Sequence, residues 1–134
     1  ILKICSGTID NITIGRSDLS KSFFNRNIYP DSKHIQKIIT DIANKSSKYK
    51  ITTTVGGSLT LNTIREYSKN KKLIQSIKKL ETRKIILPTK NFLRKNAIKD
   101  ALEFEKLYIL YKNEIVNFKL KSENDRLSTL NTRV

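Results

Sequence analysis

Apolar and polar positions alternate along this chain in two rhythms. Ile9–Gly15 (IDNITIG) carries β-branched residues at short spacing and stops at a glycine, which predicts a buried strand. Arg16 to Ser20 reads as a polar turn, and 23–30 as a loop whose aromatics should pack on something. Asp31-Ser32 can then cap a helix over 33–45. In that segment Ile35, Ile38, Ile39, Ile42 and Ala43 fall on one face. Tyr49–Val55 predicts a second strand, ended by Gly56-Gly57. Ser58 or Thr60 can cap the next helix, which carries Leu61, Ile64 and Tyr67, and a short helix around 73–79 follows. Glu81–Leu87 predicts a third strand, closed by Pro88. From about Asn91 the pattern turns helical, with Ala97, Ile98, Ala101, Leu102, Tyr108 and Ile109 at helical spacing. A last segment, 123–132, reads as a short helix or frayed tail.

Strand and helix alternating three times is the grammar of parallel βαβ units. Three parallel strands make a poor sheet alone and call for more strands or closure into a barrel. The predicted fold class is therefore α/β, the C-terminal part of a (β/α)8 barrel at about strands six to eight, followed by C-terminal helices. Residues 1–90 form the barrel units and 91–134 the trailing helical segment of the same domain. The chain contains no Met and opens on Ile1-Leu2-Lys3-Ile4. It is expected to be a fragment, inactive by itself and poorly folded because its first strand exposes an edge.

Charge changes the picture only modestly. The 27 Lys+Arg against 12 Asp+Glu give a formal net charge of +15, which would attract phosphate backbones. Lysine dominates, however, and is spread along the chain. Lys, Ile and Asn share A/T-rich codons, so genome composition accounts for the excess without a ligand. The clusters at Lys69–Lys72 and Lys78-Lys79 read as solvated faces, and no nucleic-acid-binding signature accompanies them. No apolar run reaches the roughly 18 residues a membrane span requires. Cys5 is the sole cysteine and has no internal partner, which fits a reducing, cytoplasmic setting.

Three places follow strand ends, where barrel enzymes carry their chemistry. In Arg16-Ser17-Asp18 the carboxylate could ligate a hard cation and Arg16 could hold an anion; alternatively Ser17 and Asp18 stabilise a turn and cap a short helix. Gly56-Gly57-Ser58 could let a ligand approach the backbone, although a plain strand-to-helix turn is the better account of the glycines. Glu81 and Arg83, two apart on a strand, would share a side and either pair or face the barrel interior. His34, the single histidine, suits a surface or capping role, and no Ser/His/Asp set presents itself, so no catalytic base is assigned.

The string Ile14-Gly15-Arg16-Ser17-Asp18-Leu19-Ser20 resembles the Gly-x-x-Asp-Leu-Ser segment of the HpcH/HpaI aldolase and citrate-lyase beta-subunit family, TIM barrels of the pyruvate/phosphoenolpyruvate superfamily. Val55-Gly56-Gly57 looks like the strand end that comes next. Glu81-Thr82-Arg83-Lys84 and Ala101–Glu105 are similar to stretches in a branch of aldolase-like proteins. The resemblance implies a carbon–carbon lyase acting on a 2-oxo acid or acyl-CoA-type substrate with Mg²⁺ or Mn²⁺. It implies Asp18 as a metal ligand and Arg16, Ser17, Asp18, Gly56 and Gly57 as substrate-binding, with backbone N–H groups at Ser17 and Asp18 on the substrate carboxylate. Arg16 stands where many members carry Pro, which adds a positive charge to that pocket. The family's second metal ligand, a Glu on the preceding strand, and its substrate-binding Arg would lie upstream of this chain. A small-molecule substrate and a homo-oligomer are expected. The alternatives are a non-catalytic barrel homologue, a basic nucleic-acid-binding module, and a structural role in which the apolar side of the 91–118 helix packs on its own barrel or on a neighbouring subunit.

Overall fold

The computed structural model describes residues 1–133 and has a mixed α/β architecture with a small sheet and a long C-terminal helix. The elements in order are α1 (Leu2–Cys5), β1 (Asn11–Gly15), α2 (Arg16–Lys21), α3 (Lys33–Ser47), β2 (Thr52–Gly56), α4 (Leu61–Lys69), α5 (Lys71–Ser76), β3 (Lys79–Glu81), β4 (Ile86–Pro88), α6 (Thr89–Phe92) and α7 (Ala97–Asn131). The chain divides into two compact units, Ile1–Leu102 and Glu103–Val134.

The sheet of the first unit runs β1-β2-β3-β4, so chain order and spatial order coincide. β1, β2 and β3 are parallel, while β4 returns antiparallel to β3. β1 stands at one edge and pairs only with β2.

The register sorts the side chains onto two unlike faces, because successive residues of a strand point to opposite sides. One row crosses the sheet as Ile14, Val55, Leu80 and Leu87. This face belongs to the core, where Val55 and Leu80 meet Ile35 and Ile39 of α3, Tyr67 of α4, Leu73 of α5 and Phe92 of α6. The row beside it runs Gly15, Gly56, and then Glu81 with Ile86, on the opposite face. That second face is polar: Asn11 Oδ1 accepts from the hydroxyls of Thr52 (2.9 Å) and Thr54 (3.0 Å). β1 alternates Asn/Thr with Ile, whereas β2 is buried on both faces, with Thr53 beside Val55 on the core side and Thr54 buried on the other.

The helix starts follow local chemistry. Ser32 caps α3, its hydroxyl accepting from Ile35 N–H, and α3 continues two residues beyond the predicted end. Thr60 rather than Ser58 caps α4, in a box where Thr60 and Thr63 each accept the other's backbone N–H at 3.1 Å.

Three expectations need correction. Arg16–Ser20 is helical, not a turn; a six-residue segment with Leu19 as its only apolar member has no periodicity to read. The single strand over 81–87 is two short strands in a hairpin. Thr82 makes the turn, its hydroxyl accepting the N–H groups of Lys84 and Ile85 while its own N–H donates to Ile85 O. Arg83 therefore lies in the turn and does not share a strand face with Glu81. The aromatics of 23–30 pack unevenly: Phe24 is 98% exposed, while Phe23 is partly covered and meets the His34 ring in a T-shaped contact. Ile28 is the residue of that loop that packs against the core. The segment 123–132 continues α7 as far as Asn131.

Leu80 is fully buried where the sheet meets α3 and α5. Leu80→Ala should destabilise the chain by about 2–5 kcal/mol. The check is urea unfolding, with a lower midpoint at unchanged slope.

Candidate functional site at the carboxyl ends of the parallel strands

β1 ends at Gly15 and enters α2 without a connecting loop, which carries Arg16 directly under the neighbouring strand exit. The Arg16 side chain is wholly buried. Its Nε–H donates to Gly56 O (3.3 Å) and Nη2 to Gly57 O (2.6 Å). Nη1 donates to Asp31 Oδ1 and lies 3.5 Å from Thr63 Oγ1. The Thr63 hydroxyl donates in turn to Asp31 Oδ2 at 3.1 Å. The guanidinium also lies 5.6 Å from the centre of the Tyr67 ring. Arg16 thus joins the exit of β2, the residue before the α3 cap, and α4. Its donors are met inside the protein.

Gly57 has φ +86°, and a Cβ there would stand 3.0 Å from the backbone nitrogens of Arg16 and Ser17. Only glycine lets the β2 exit come this close to α2. Ser58 follows, also at positive φ (51°), and Ser17 Oγ donates to Ser58 Oγ at 3.0 Å. These two hydroxyls line an open cavity of about 520 Å³, with Lys21, Arg26 and Tyr29 around it. Two cationic side chains and two hydroxyls at one cavity suit an anionic group such as a carboxylate. Lys21 and Arg26 were not singled out in the sequence, since they fall in segments with no motif.

Asp18 sits in the first turn of α2, where a negative charge is favoured by the helix dipole. Its Oδ2 lies 3.3 Å from where a Gly15 Cβ would be. Glu81 Oε1 lies 2.7 Å from where a Gly56 Cβ would be. Gly15 and Gly56 are register partners, so their missing side chains would point to the same face. Asp18 and Glu81 therefore cover the same glycine pair on the polar face of the sheet. The spacing of the motifs does not reveal this neighbourhood, because the in-register pairing of β2 with β3 creates it.

As a metal site the donor set is small. Among the described residues no group of three or more His, Cys, Asp and Glu gathers in one place. Two carboxylates are compatible with a strongly hydrated Mg²⁺, which is commonly held by one or two carboxylates plus water and substrate oxygens.

A second concavity, about 750 Å³, lies between α3 and the α4–α5 junction. Lys33, Lys37, Lys69, Lys71 and Lys72 line it, together with Asp41 and Glu66. The Lys69 ammonium bonded to Glu66 (2.8 Å) holds that carboxyl below its usual pKa. Among the described residues, no helix is long and apolar enough to cross a membrane. The chain matches no protein-family model, no curated protein and no solved structure.

Two outcomes follow from the Arg16 cluster. Arg16→Leu strands the Asp31 carboxylate and should cost about 3–5 kcal/mol in denaturant unfolding, with part recovered in the double variant Arg16→Leu/Asp31→Leu. An unchanged midpoint for the single variant would show that the cluster contributes nothing. The Tyr67 phenol is a separate case. Its Oη is buried and has no partner in hydrogen-bond geometry, and burial pushes its pKa up while the Arg16 charge opposes the rise. The neutral form is favoured in the folded state, so stability is complete below the unfolded tyrosine value of about 10 and falls as pH rises past it. Tyr67→Phe should leave stability at neutral pH unchanged or higher and make the alkaline loss shallower, measured as the unfolding midpoint between about pH 8 and 11.

Proposed function

We propose that this chain is a sector of a (β/α)8 barrel carrying part of a carbon–carbon lyase site for a 2-oxo acid or acyl-CoA-type substrate, acting in the cytoplasm. The observation that carries the reading is the pair of carboxylates, Asp18 and Glu81, over one glycine pair at the carboxyl ends of adjacent parallel strands. The topology supports it in one respect: β1, β2 and β3 are sequential and parallel with α3, α4 and α5 in the core, as in a barrel wall, whereas the antiparallel β4 departs from an all-parallel barrel. The resemblance of Gly15–Ser20 to the HpcH/HpaI segment points the same way.

In this reading Asp18 and Glu81 hold Mg²⁺ or Mn²⁺ through carboxylate oxygens. When bound, the ion supplies a Lewis acid for the enolate that carbon–carbon cleavage generates. Ser58, whose hydroxyl accepts from Ser17, donates its own hydroxyl hydrogen bond to the substrate carboxylate, and Lys21 and Arg26 attract it into the cavity. Gly56 leaves the room that the Glu81 carboxylate takes, and Gly57 lets the β2 exit approach the start of α2. Arg16 is a positioning residue here: it fixes the β2 exit against α2, rather than offering its charge to substrate.

The test is Mn²⁺ binding to the intact chain, followed by water-proton relaxation with and without pyruvate. Binding should be weakened on the order of tenfold or more by Asp18→Asn and by Glu81→Gln. Absence of Mn²⁺ binding by the folded chain would remove the reading.

A second reading rests on the lysine-lined concavity between α3 and α4–α5, which suits the phosphates of a nucleic acid. In that case duplex DNA affinity should fall steeply with salt, and Lys37→Glu/Lys71→Glu should flatten the slope. Salt-independent or absent binding would dispose of it.

A further inference from the structure

Beyond Leu102, α7 continues through Asn131 with its large apolar side chains exposed. A single helix some 40 Å long at about 1.5 Å per residue gains little from propensity alone, and most helices in proteins are stabilised by covering an apolar face. Two sets of apolar positions compete for that face. Phe104, Tyr108, Tyr111, Ile115 and Phe118 form a stripe that ends there, because Ser122, Asp125 and Thr129 continue it. The second set runs to the end of the helix.

In this second set Ile109, Val116, Glu123 and Leu130 recur every seven residues. Lys106, Asn113, Leu120 and Leu127 form the interleaved set, also seven apart. Together they make the two core positions of a heptad seam, spaced alternately four and three residues. The apolar members are between 47% and 57% exposed. The charged members decide what covers them. In a parallel pair of identical helices, Lys106 would face Lys106 and Glu123 would face Glu123, two like-charge contacts in the seam. In an antiparallel pair centred between Asn113 and Val116, Lys106 faces Glu123 of the second copy, and Ile109 faces Leu120. Glu103 and Arg126 oppose each other just outside. The same register matches Ile109 to Leu120 and acid to base, with Asn113 against Val116 at its centre, while the two like-charge contacts disfavour the parallel alternative.

We propose that α7 is an antiparallel coiled-coil dimerisation helix whose partner is a second copy of this chain. In the single chain Lys106 bonds within its own helix to Glu103 at 3.5 Å, a pair exposed on both sides. Such a pair contributes little and is readily exchanged for Glu123 of the second copy. From Glu103 to Asn131 acidic and basic side chains nearly balance, although the chain as a whole carries +15. Two such helices therefore do not repel each other. The proposal stands independently of the lyase reading.

The test is sedimentation equilibrium of the full chain, with helicity followed by circular dichroism. The expected result is a dimer at micromolar concentration. Lys106→Glu and Glu123→Lys should each weaken it roughly tenfold or more, and the double reversal Lys106→Glu/Glu123→Lys should restore it. A monomeric wild type overturns the proposal. So do single reversals that leave the dimer intact, as parallel pairing requires, or a double reversal that fails to restore it.

Discussion

A buried guanidinium ties the first unit together. Arg16 reaches the two carbonyls that end β2, the Asp31 carboxylate ahead of α3, and the Thr63 hydroxyl and Tyr67 ring of α4. A charge with no exposure to solvent is tolerable only when nearly every donor finds an acceptor, and the planar fork of arginine can satisfy several at fixed angles. Lysine could not reproduce that set. The geometry around it follows from this constraint. β1 must pass into α2 without a loop, Gly57 must lack a side chain, and the threonine capping box must orient Thr63 toward Asp31. The strand exits that carry Ser17, Asp18 and Ser58 are tied together by the Arg16 hydrogen bonds to Gly56 O and Gly57 O.

The division of the sheet into two unlike faces explains where chemistry can sit. The aliphatic row through Ile14, Val55 and Leu80 belongs to the core, so its carboxyl-end neighbours must turn the other way. Two of those neighbours are glycines, and the carboxylates of Asp18 and Glu81 occupy the vacated space. Cations and hydroxyls line a cavity at Ser17 and Ser58, beside the exits of β1 and β2. That location is where open and closed α/β sheets bind their ligands, since strand ends and helix starts converge there. The second unit has a different logic: a long helix with balanced charge and a heptad seam is built for contact with another helix.

Much of this organisation was legible along the chain. The β-branched runs before Gly15 and Gly56 marked two strands, and the isoleucine spacing of α3 with Ser32 ahead of it marked a helix, because these signals depend on neighbours a few residues apart. The hairpin of β3 and β4 was hidden, since Thr82 makes its turn through side-chain hydrogen bonds that a β-prone sequence does not advertise. Arg16 was legible as a charged residue after a strand but not as a buried one. Asp31, Thr63 and Tyr67 lie far from it in sequence, and only the packing of α2, α3 and α4 brings them to it.

The sequence by itself therefore determined the periodic elements, the cap ahead of α3, and the glycine exits of β1 and β2, while the choice of Thr60 over Ser58 and the extent of α7 came from the structure. The elements, the cap and the exits are local consequences of backbone sterics and hydrophobic spacing. Tertiary structure alone decided that Glu81 joins Asp18 over one glycine pair, that Lys21 and Arg26 share a cavity with Ser17 and Ser58, and that the Arg16 charge is spent inside. The reason is physical: side chains remote in sequence meet only through strand register and helix packing, and those are fixed by the burial of the whole core rather than by any short motif.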